Sequence, residues 1–145
     1  MKAVITISSV QKVPEIDADT IELVTDGVFC RYDSSYELHY QESELTGLEG
    51  TATTVRILPD CIIVERNGSV TSSIRFKQGE RYSFLYDTPF GAATLGVDTV
   101  RVYADVGDSG GEICIDYVLN MEHAVVTENK LIIKIKPVED QLCQT

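Results

Sequence analysis

Apolar and polar side chains alternate with a period of two along most of the chain. In the stretch "SVTSSIRFKQ", Val70, Ser72, Ile74 and Phe76 fall on one face, and polar or charged residues fall on the other. Strands with one buried and one solvated face show this alternation, which is typical of antiparallel sheets. The stretches "RYSFLYD", "DTVRVYADV" and "EICIDYVL" repeat it and predict further inward residues: Tyr82, Phe84, Tyr86, Val100, Val102, Ala104, Val106, Ile113, Ile115, Tyr117 and Leu119.

Short turn signals separate these predicted strands. Asn67-Gly68 suits the two-residue type I′ turn of a hairpin, because both residues tolerate positive φ. Gln78-Gly79 and Asp108–Gly111 predict two further connections, and Glu128–Lys130 is predicted to turn the chain into a final strand, "LIIKIK". Since the connections in the second half are short, strands that are neighbours in sequence are expected to be neighbours in the sheet.

The whole chain, residues 1–145, is predicted to form one all-β domain. The pattern indicates about ten strands and no helix, with an irregular turn only at Val13–Thr20. Gly27 stands where the apolar parity changes from Leu23 to Val28, which predicts a β-bulge or a sharp strand bend.

A one-sided meander of this length has to cover its apolar face. It can close into a barrel or fold into two packed sheets. Closure removes the exposed edges, and the absence of long crossing connections favours an up-and-down order. The predicted fold is a single antiparallel up-and-down meander closed into a β-barrel of about eight to ten strands.

The charge balance narrows the range of partners. The chain carries 23 acidic and 12 basic side chains, a formal net charge of −11. This charge repels nucleic-acid phosphates and anionic membrane surfaces, so neither is expected as a partner. The first residues, "MKAVITISSV", lack the features of an export signal, so a cytoplasmic location is expected.

The cysteine spacing offers no metal site. Cys30, Cys61, Cys114 and Cys143 contain no CxxC pair, and the chain has only two histidines. No zinc-binding spacing can be assembled from these residues, so neither a metal nor a cofactor is expected. Reduced thiols are expected in a cytosolic protein.

The stretch "YQESELTGLEGTATTVRI", Tyr40–Ile57, holds the main candidates for chemistry. Strict alternation carries Glu42 and Glu44 onto one face near a barrel rim. A carboxylate turned inward could act as a general acid, and a pair of carboxylates is the minimum for glycoside hydrolysis. The alternative, which we favour, is a structural ion pair between Glu42 and Arg56 or Arg66 that closes one barrel end.

The histidines add no catalytic group. His39 takes the opposite parity from Tyr40 and is expected to face solvent, whereas His123 takes the apolar parity and is expected at the core or the rim. No serine or cysteine can be tied to either in a triad, so no catalytic residue is assigned. Arg101 and Tyr103 are expected to project outward.

The blocks "TIELVTDG", "YQESELTGLEGTATTVRI", "IVERNG", "RFKQGERYSFLYDTPFG" and "GGEICIDYVL" occur in order between Thr20 and Ile135. Together they resemble the YwiB-like family of small bacterial proteins of unknown function. The resemblance implies a calycin-like β-barrel, related in architecture to lipocalins and fatty-acid-binding proteins, and it implies no biochemical activity. The chain has no tryptophan, so the tryptophan of the lipocalin signature is absent.

The interior suggests the function. The predicted lumen holds many aromatic rings: Tyr36, Tyr40, Phe76, Tyr82, Phe84, Tyr86 and Tyr117. The first hypothesis is a noncatalytic barrel that binds a small, mostly apolar ligand with a polar end, contacted by Tyr40, Glu42, Tyr82 and Tyr86. The second is a filled barrel that serves as a protein-interaction or structural module, and the third is a weak enzyme that uses Glu42 and Glu44. A cavity larger than several waters would favour the first and a solid lumen the second, while the oligomeric state stays open.

Overall fold

The computed structural model describes residues 1–13, 18–42, 49–121 and 124–138, with backbone alone at 124–126. These residues form ten strands and no helix, as predicted. No helix of this part of the chain is long and apolar enough to cross a membrane. The strands are β1 Lys2–Lys12, β2 Asp19–Arg31, β3 Tyr36–Gln41, β4 Thr51–Ile57, β5 Ile62–Gly68, β6 Ser72–Phe76, β7 Arg81–Thr88, β8 Gly91–Gly107, β9 Gly110–Met121 and β10 Ala124–Pro137.

All the strands belong to one antiparallel sheet in the order β6-β5-β4-β3-β2-β1-β10-β9-β8-β7. The ladders join neighbours in sequence, and β1 also pairs with β10, which brings the first and last strands together. The edge strands β6 and β7 face each other across a seam. Among the described residues they meet at one isolated bridge, where Thr71 and Asp87 exchange backbone hydrogen bonds of 2.9 and 3.0 Å. The predicted up-and-down barrel is confirmed, and it is nearly closed.

The inner face of the sheet carries the apolar residues that the alternation assigned to it. Ile5 of β1, Leu38 of β3 and Ile113 of β9 are each 0% exposed. Burying one such side chain stabilises the fold by about 1.5–3 kcal/mol, so this face supplies the main driving force for closure. The following residues predicted inward are buried or packed on the core: Val70, Ser72, Ile74, Phe76, Phe84, Tyr86, Val102, Val106, Ile113, Ile115, Tyr117 and Leu119.

The turn predictions are only partly right. The connections at Gln78-Gly79 and Asp108–Gly111 are confirmed. The hairpin predicted at Asn67-Gly68 is present and joins β5 to β6, but the predicted two-residue turn is wrong. The last pair before the connection is Arg66 with Ser72, and on its other side β5 continues to Gly68, which pairs with Thr51 on β4. A Cβ on Gly68 would meet the carbonyl oxygen of Gly50, so this glycine permits a close approach of two strands where the chain leaves the β5–β6 ladder.

The predicted turn at Glu128–Lys130 is also wrong. β10 runs without interruption through this segment, where Asn129 pairs with Tyr117 on β9 and with Gln11 on β1. Asn129 is buried and its amide donates a hydrogen bond of 2.8 Å to the Thr127 hydroxyl. Thr127 and Asn129 are thus polar residues buried on the inner face of a strand. The prediction interpreted the polar residues of this segment as a turn because it did not allow for polar residues on the inner face.

Gly27 does not mark a bulge. β2 pairs with β1 in unbroken register through Gly27, and Phe29 faces inward in place of the predicted Val28, which is 45% exposed. A Cβ on Gly27 would collide with the Ile5 side chain and the His39 carbonyl oxygen. The glycine is therefore required by close packing.

A bulge occurs instead on β8. The register with β9 shifts between Thr99 and Arg101, and Val100, predicted to face inward, is 61% exposed. Thr99 takes the inner position and is buried. The shift places Arg101 and Tyr103 outward as predicted, and it leaves Ala104 exposed, against the prediction. The irregular turn expected at Val13–Thr20 lies largely outside the described residues.

Candidate functional site

The lumen is filled at one end of the barrel and hollow at the other. Ile5, Leu38, Ile62, Phe76 and Ile113 pack the filled end, each at most 2% exposed. Further along the same inner face lies a cavity of about 310 Å³. With roughly 30 Å³ per water molecule, this volume corresponds to about ten waters. The lumen is therefore not packed solid.

Most of the cavity wall is apolar. Each strand contributes inner residues that continue the inner face beyond the filled end, as Ile7 follows Ile5 on β1. Apolar walls of this kind suit the hydrocarbon part of a ligand. The apolar lining comprises Ile7, Ile21, Leu23, Val55, Val64, Ile74, Phe84, Leu95, Leu119, Leu131 and Ile133.

The cavity opens beside the first half of β2. Gln11 and Asp19 pair across β1 and β2, line the cavity and are exposed. The ladder between β2 and β3 begins only at Gly27, so among the described residues the earlier part of β2 is paired on one side alone. In the described part of the chain, the wall is therefore open between β2 and the end of β3.

A row of polar residues crosses the inner face of four strands at this end. Tyr40 of β3 pairs with Thr53 of β4, Thr53 pairs with Arg66 of β5, and Arg66 pairs with Ser72 of β6. We call these four residues the polar row. Glu42 lies just beyond it, where its backbone N–H bonds to the Thr51 carbonyl at 2.9 Å. Its side chain is 8% exposed, and its Oε1 accepts a hydrogen bond of 2.9 Å from the Thr53 hydroxyl.

The positive charge of Arg66 affects two tyrosines that lie on different walls of the lumen, Tyr40 and Tyr117. Burial raises the pKa of Tyr40, the Glu42 charge raises it further, and the Arg66 charge opposes both. Burial also raises the pKa of Tyr117, on β9, and Arg66 again opposes the change. Because β3 and β9 belong to different walls, a positive charge that reaches both tyrosines acts within the cavity.

Two hydrogen-bonding atoms of the polar row have no partner among the described residues. These atoms are Arg66 Nε and Ser72 Oγ, and both are inaccessible to solvent. Arg66 also takes part in none of the ion pairs formed in the described part of the chain. Buried polar groups in proteins are almost always hydrogen-bonded, so these two atoms form a site that we call the unfilled donor site. Of its two residues, which pair across β5 and β6, Arg66 lines the cavity and Ser72 does not.

The predicted ion pair between Glu42 and Arg56 is wrong. Arg56 lies on the outer face, where its Nε is 3.1 Å from Glu65 and 3.7 Å from Glu37. Arg66, the other arginine considered, shares the cavity wall with Glu42, but the hydroxyl of Thr53 is the described partner of the Glu42 Oε1 atom.

The residues predicted to contact a ligand are not all at the cavity. Tyr40, Glu42 and Tyr86 line it, and Tyr82 does not. Tyr82 is 36% exposed because it lies at the start of β7, an edge strand beside the seam, where its two sequence neighbours are exposed as well. Tyr36, also in the predicted inward set, packs at the far end, where its ring stacks on Phe29 with centroids 5.3 Å apart.

The described residues bring together no catalytic group. His39 faces outward as predicted, with Nδ1 3.0 Å from the Thr54 hydroxyl and Nε2 3.1 Å from Glu37, while Glu42 faces the lumen. Glu44, His123 and Cys143 lie outside the described residues, and Cys30, Cys61 and Cys114 are free thiols. No group of three or more His, Cys, Asp or Glu in the described part of the chain could hold a metal ion.

Sequence reasoning considered Arg66 only as a structural partner of Glu42 and Ser72 only as an inward residue, and it assigned neither to the ligand site. The signal was present for Arg66, because "IIVERNG" continues the inner phase of Ile62 and Val64 directly to this arginine. Ser72 carried the same signal as a member of the predicted inward set. The alternation could not predict the register between β5 and β6, which places Arg66 beside Ser72.

Comparisons with known proteins agree with this architecture. The family model described as "Domain of unknown function (DUF1934)" matches residues 5–133. Among solved structures, the chain is similar to the crystal structure of the ywiB protein from Bacillus subtilis, with a TM-score of 0.84 and 22% sequence identity over 95% of this chain and 92% of that chain. At this identity the likeness concerns the fold alone. No curated protein matches the chain.

Proposed function

The chain belongs to the family described as domain of unknown function DUF1934, and since that description names no activity, we propose from its lumen that the protein binds one small, mostly apolar molecule with a polar end. The match to the family model and the similarity to the ywiB structure confirm the resemblance of the sequence blocks to the YwiB-like family. The proposed ligand lies in the cavity with its hydrocarbon part against the apolar wall and its polar end at the polar row.

The observation that carries the proposal is the cavity itself. Its volume of about 310 Å³ falls at the lower limit of the roughly 300–1,000 Å³ of small-molecule sites. Such sites combine apolar walls with a few polar groups that orient the ligand. Here Tyr40, Glu42 and Arg66 supply those groups, and Tyr86 adds a hydroxyl from β7, which faces β6 across the seam.

A molecule retained from the cell provides the first test. Native mass spectrometry of gently purified protein is expected to show an adduct of small mass that is lost on unfolding. The same measurement reports the assembly state.

Added 1-octanol provides the second test, because its nine non-hydrogen atoms match the cavity volume. Calorimetry is expected to detect binding by the wild-type protein. Leu131→Trp fills the cavity from β10 and should abolish binding, whereas Ile132→Trp, one residue along on the outer face, should not. Absence of both a natural adduct and octanol binding would contradict the proposal.

Protein interaction remains a second candidate because of one surface feature. Phe90, at the tip of the β7–β8 hairpin, is 100% exposed, and Leu85 on β7 is 55% exposed. Exposed aromatic side chains are enriched at interfaces. If this tip mediates self-association, sedimentation velocity of the wild-type protein should depend on concentration and that of Phe90→Ser should not.

A further inference from the structure

We propose that the polar end of the ligand is a carboxylate bound by Arg66 and Ser72, so that the ligand class is a small aliphatic monocarboxylate. This inference rests on the proposed function and adds the chemical identity of the head group. It follows from the hydrogen-bonding capacity and the charge of the unfilled donor site and from the volume of the cavity.

The unfilled donor site contains one group that can only donate, the guanidinium of Arg66, and one hydroxyl, that of Ser72. A guanidinium has N–H donors and no acceptor, so the unpartnered Arg66 Nε can be satisfied only by an acceptor atom. Ser72 is 6% exposed, and its hydroxyl can donate to the same acceptor, since it pairs directly with Arg66 across β5 and β6. An alcohol or an amine would meet this site less well than a group with two acceptor oxygens.

The charge of the site favours an anion over a neutral acceptor. Arginine stays protonated at any physiological pH, and a buried charge is costly unless it is paired. Two carboxylates occupy the same lining, but they are placed differently. Glu42 accepts a hydrogen bond from Thr53, and Asp19 is exposed at the opening. A carboxylate can accept two parallel hydrogen bonds from a guanidinium, which is the strongest arrangement available to Arg66.

The volume limits the hydrocarbon part. The cavity of about 310 Å³ accommodates roughly ten water-sized groups of about 30 Å³ each. Val64 and Ile74 flank the polar row on β5 and β6 and continue the wall away from it. A carboxylate at the polar row therefore leaves space for an alkyl chain of about eight carbons, as in octanoate.

The test compares head groups on one chain length. Calorimetry at neutral pH with octanoate, octanamide, 1-octanol and octylamine is expected to give at least tenfold tighter binding for octanoate. Arg66→Met should remove that tenfold preference, and Ser72→Ala should reduce it in part. Arg56→Met, which changes a paired arginine on the outer face, should alter none of the affinities.

The outcomes separate the two proposals. If none of the four compounds binds and no natural adduct is found, the proposed function fails. If octanamide or octanol binds as tightly as octanoate, or if a folded Arg66→Met protein keeps the preference, the carboxylate assignment is overturned while ligand binding stands. The wild-type series needs no variant, so the assignment remains testable even if Arg66→Met does not fold.

Discussion

Replacing Arg66 by methionine is expected to make the ligand-free protein more stable. In the wild-type protein Arg66 Nε is buried without a hydrogen-bond partner among the described residues. A buried donor left unsatisfied costs about 1–3 kcal/mol, and methionine removes it while keeping an unbranched apolar stem against the wall. Because the side chain as a whole is only half-buried, the lower part of this range applies, a gain of about 1 kcal/mol.

Urea unfolding followed by circular dichroism measures this change. The midpoint should rise with an unchanged slope, and the melting temperature should rise by about 2–4 °C for 1 kcal/mol in a chain of this size. Arg56→Met is the matched control, since Arg56 lies on the outer face with its Nε 3.1 Å from Glu65. Loss of that exposed ion pair should lower stability by less than about 1 kcal/mol.

The opposite sign would refute the reasoning. If Arg66→Met lowers the free energy of unfolding as much as Arg56→Met or more, Arg66 makes structural contacts that outweigh its unsatisfied donor. Arg66 would then be part of the framework of the barrel, and its assignment to a ligand would lose its basis.

Three further predictions concern packing and pH. Gly27→Ala should lower stability by about 1–3 kcal/mol through overpacking, whereas Gly96→Ala, with its nearest Cβ neighbour 3.9 Å away, should be neutral or slightly stabilising; equal urea midpoints would contradict the close approach. Burial raises the pKa of Tyr40, so the associated stability is complete below the ordinary value of about 10 and falls as pH rises above it; thermal unfolding of Tyr40→Phe should show a shallower alkaline loss. The hydrogen bond from Arg81 lowers the pKa of Asp98, so the stability that it adds is present above about pH 4 and is lost as pH falls through the lower pKa of the folded state. The small difference in stability between the wild-type protein and Asp98→Asn should therefore disappear in acid. A difference that stays constant with pH would argue against the shift.

The alternation predicted the fold because the side-chain period of a strand is a local property. The inner positions of Ile74, Phe84 and Ile115 follow directly from it. Short connections then placed neighbours in sequence side by side, and closure followed from the need to cover one face. None of these steps required knowledge of a distant residue.

The errors arose where a distant residue decides the structure. Gly27 has to be a glycine because Ile5 and the His39 carbonyl, which stand far from it in sequence, leave no room for a Cβ. The change of apolar parity at Gly27 gave no information about that contact. Gly68 lies against Gly50 in the same way, so the signal of Asn67-Gly68 located the hairpin but gave the wrong length for its connection. In each case a glycine was interpreted through its own flexibility alone, although it also leaves space for a neighbour.

The candidate site could be predicted only in part for a related reason. Tyr40 and Glu42 were found because they stand close together in sequence. The polar row depends on the register of three successive ladders, and a slip of one residue in any of them would turn its members to the outer face. Whether the lumen is hollow depends on the summed side-chain volume of all the strands, which no single stretch contains.

Arg66 is the position where local pattern and physical cost disagree most. An apolar residue there would continue the inner face from Ile62 and Val64 and would leave no unsatisfied donor. Violations of local rules of this kind are typical of functional sites, where stability is lower than it could be. The same substitution is therefore expected to act in opposite directions, with Arg66→Met more stable without ligand and weaker toward octanoate. A purely structural arginine would show loss in the first measurement and no head-group preference in the second, so the two signs together decide whether the hollow end of this barrel is a binding site.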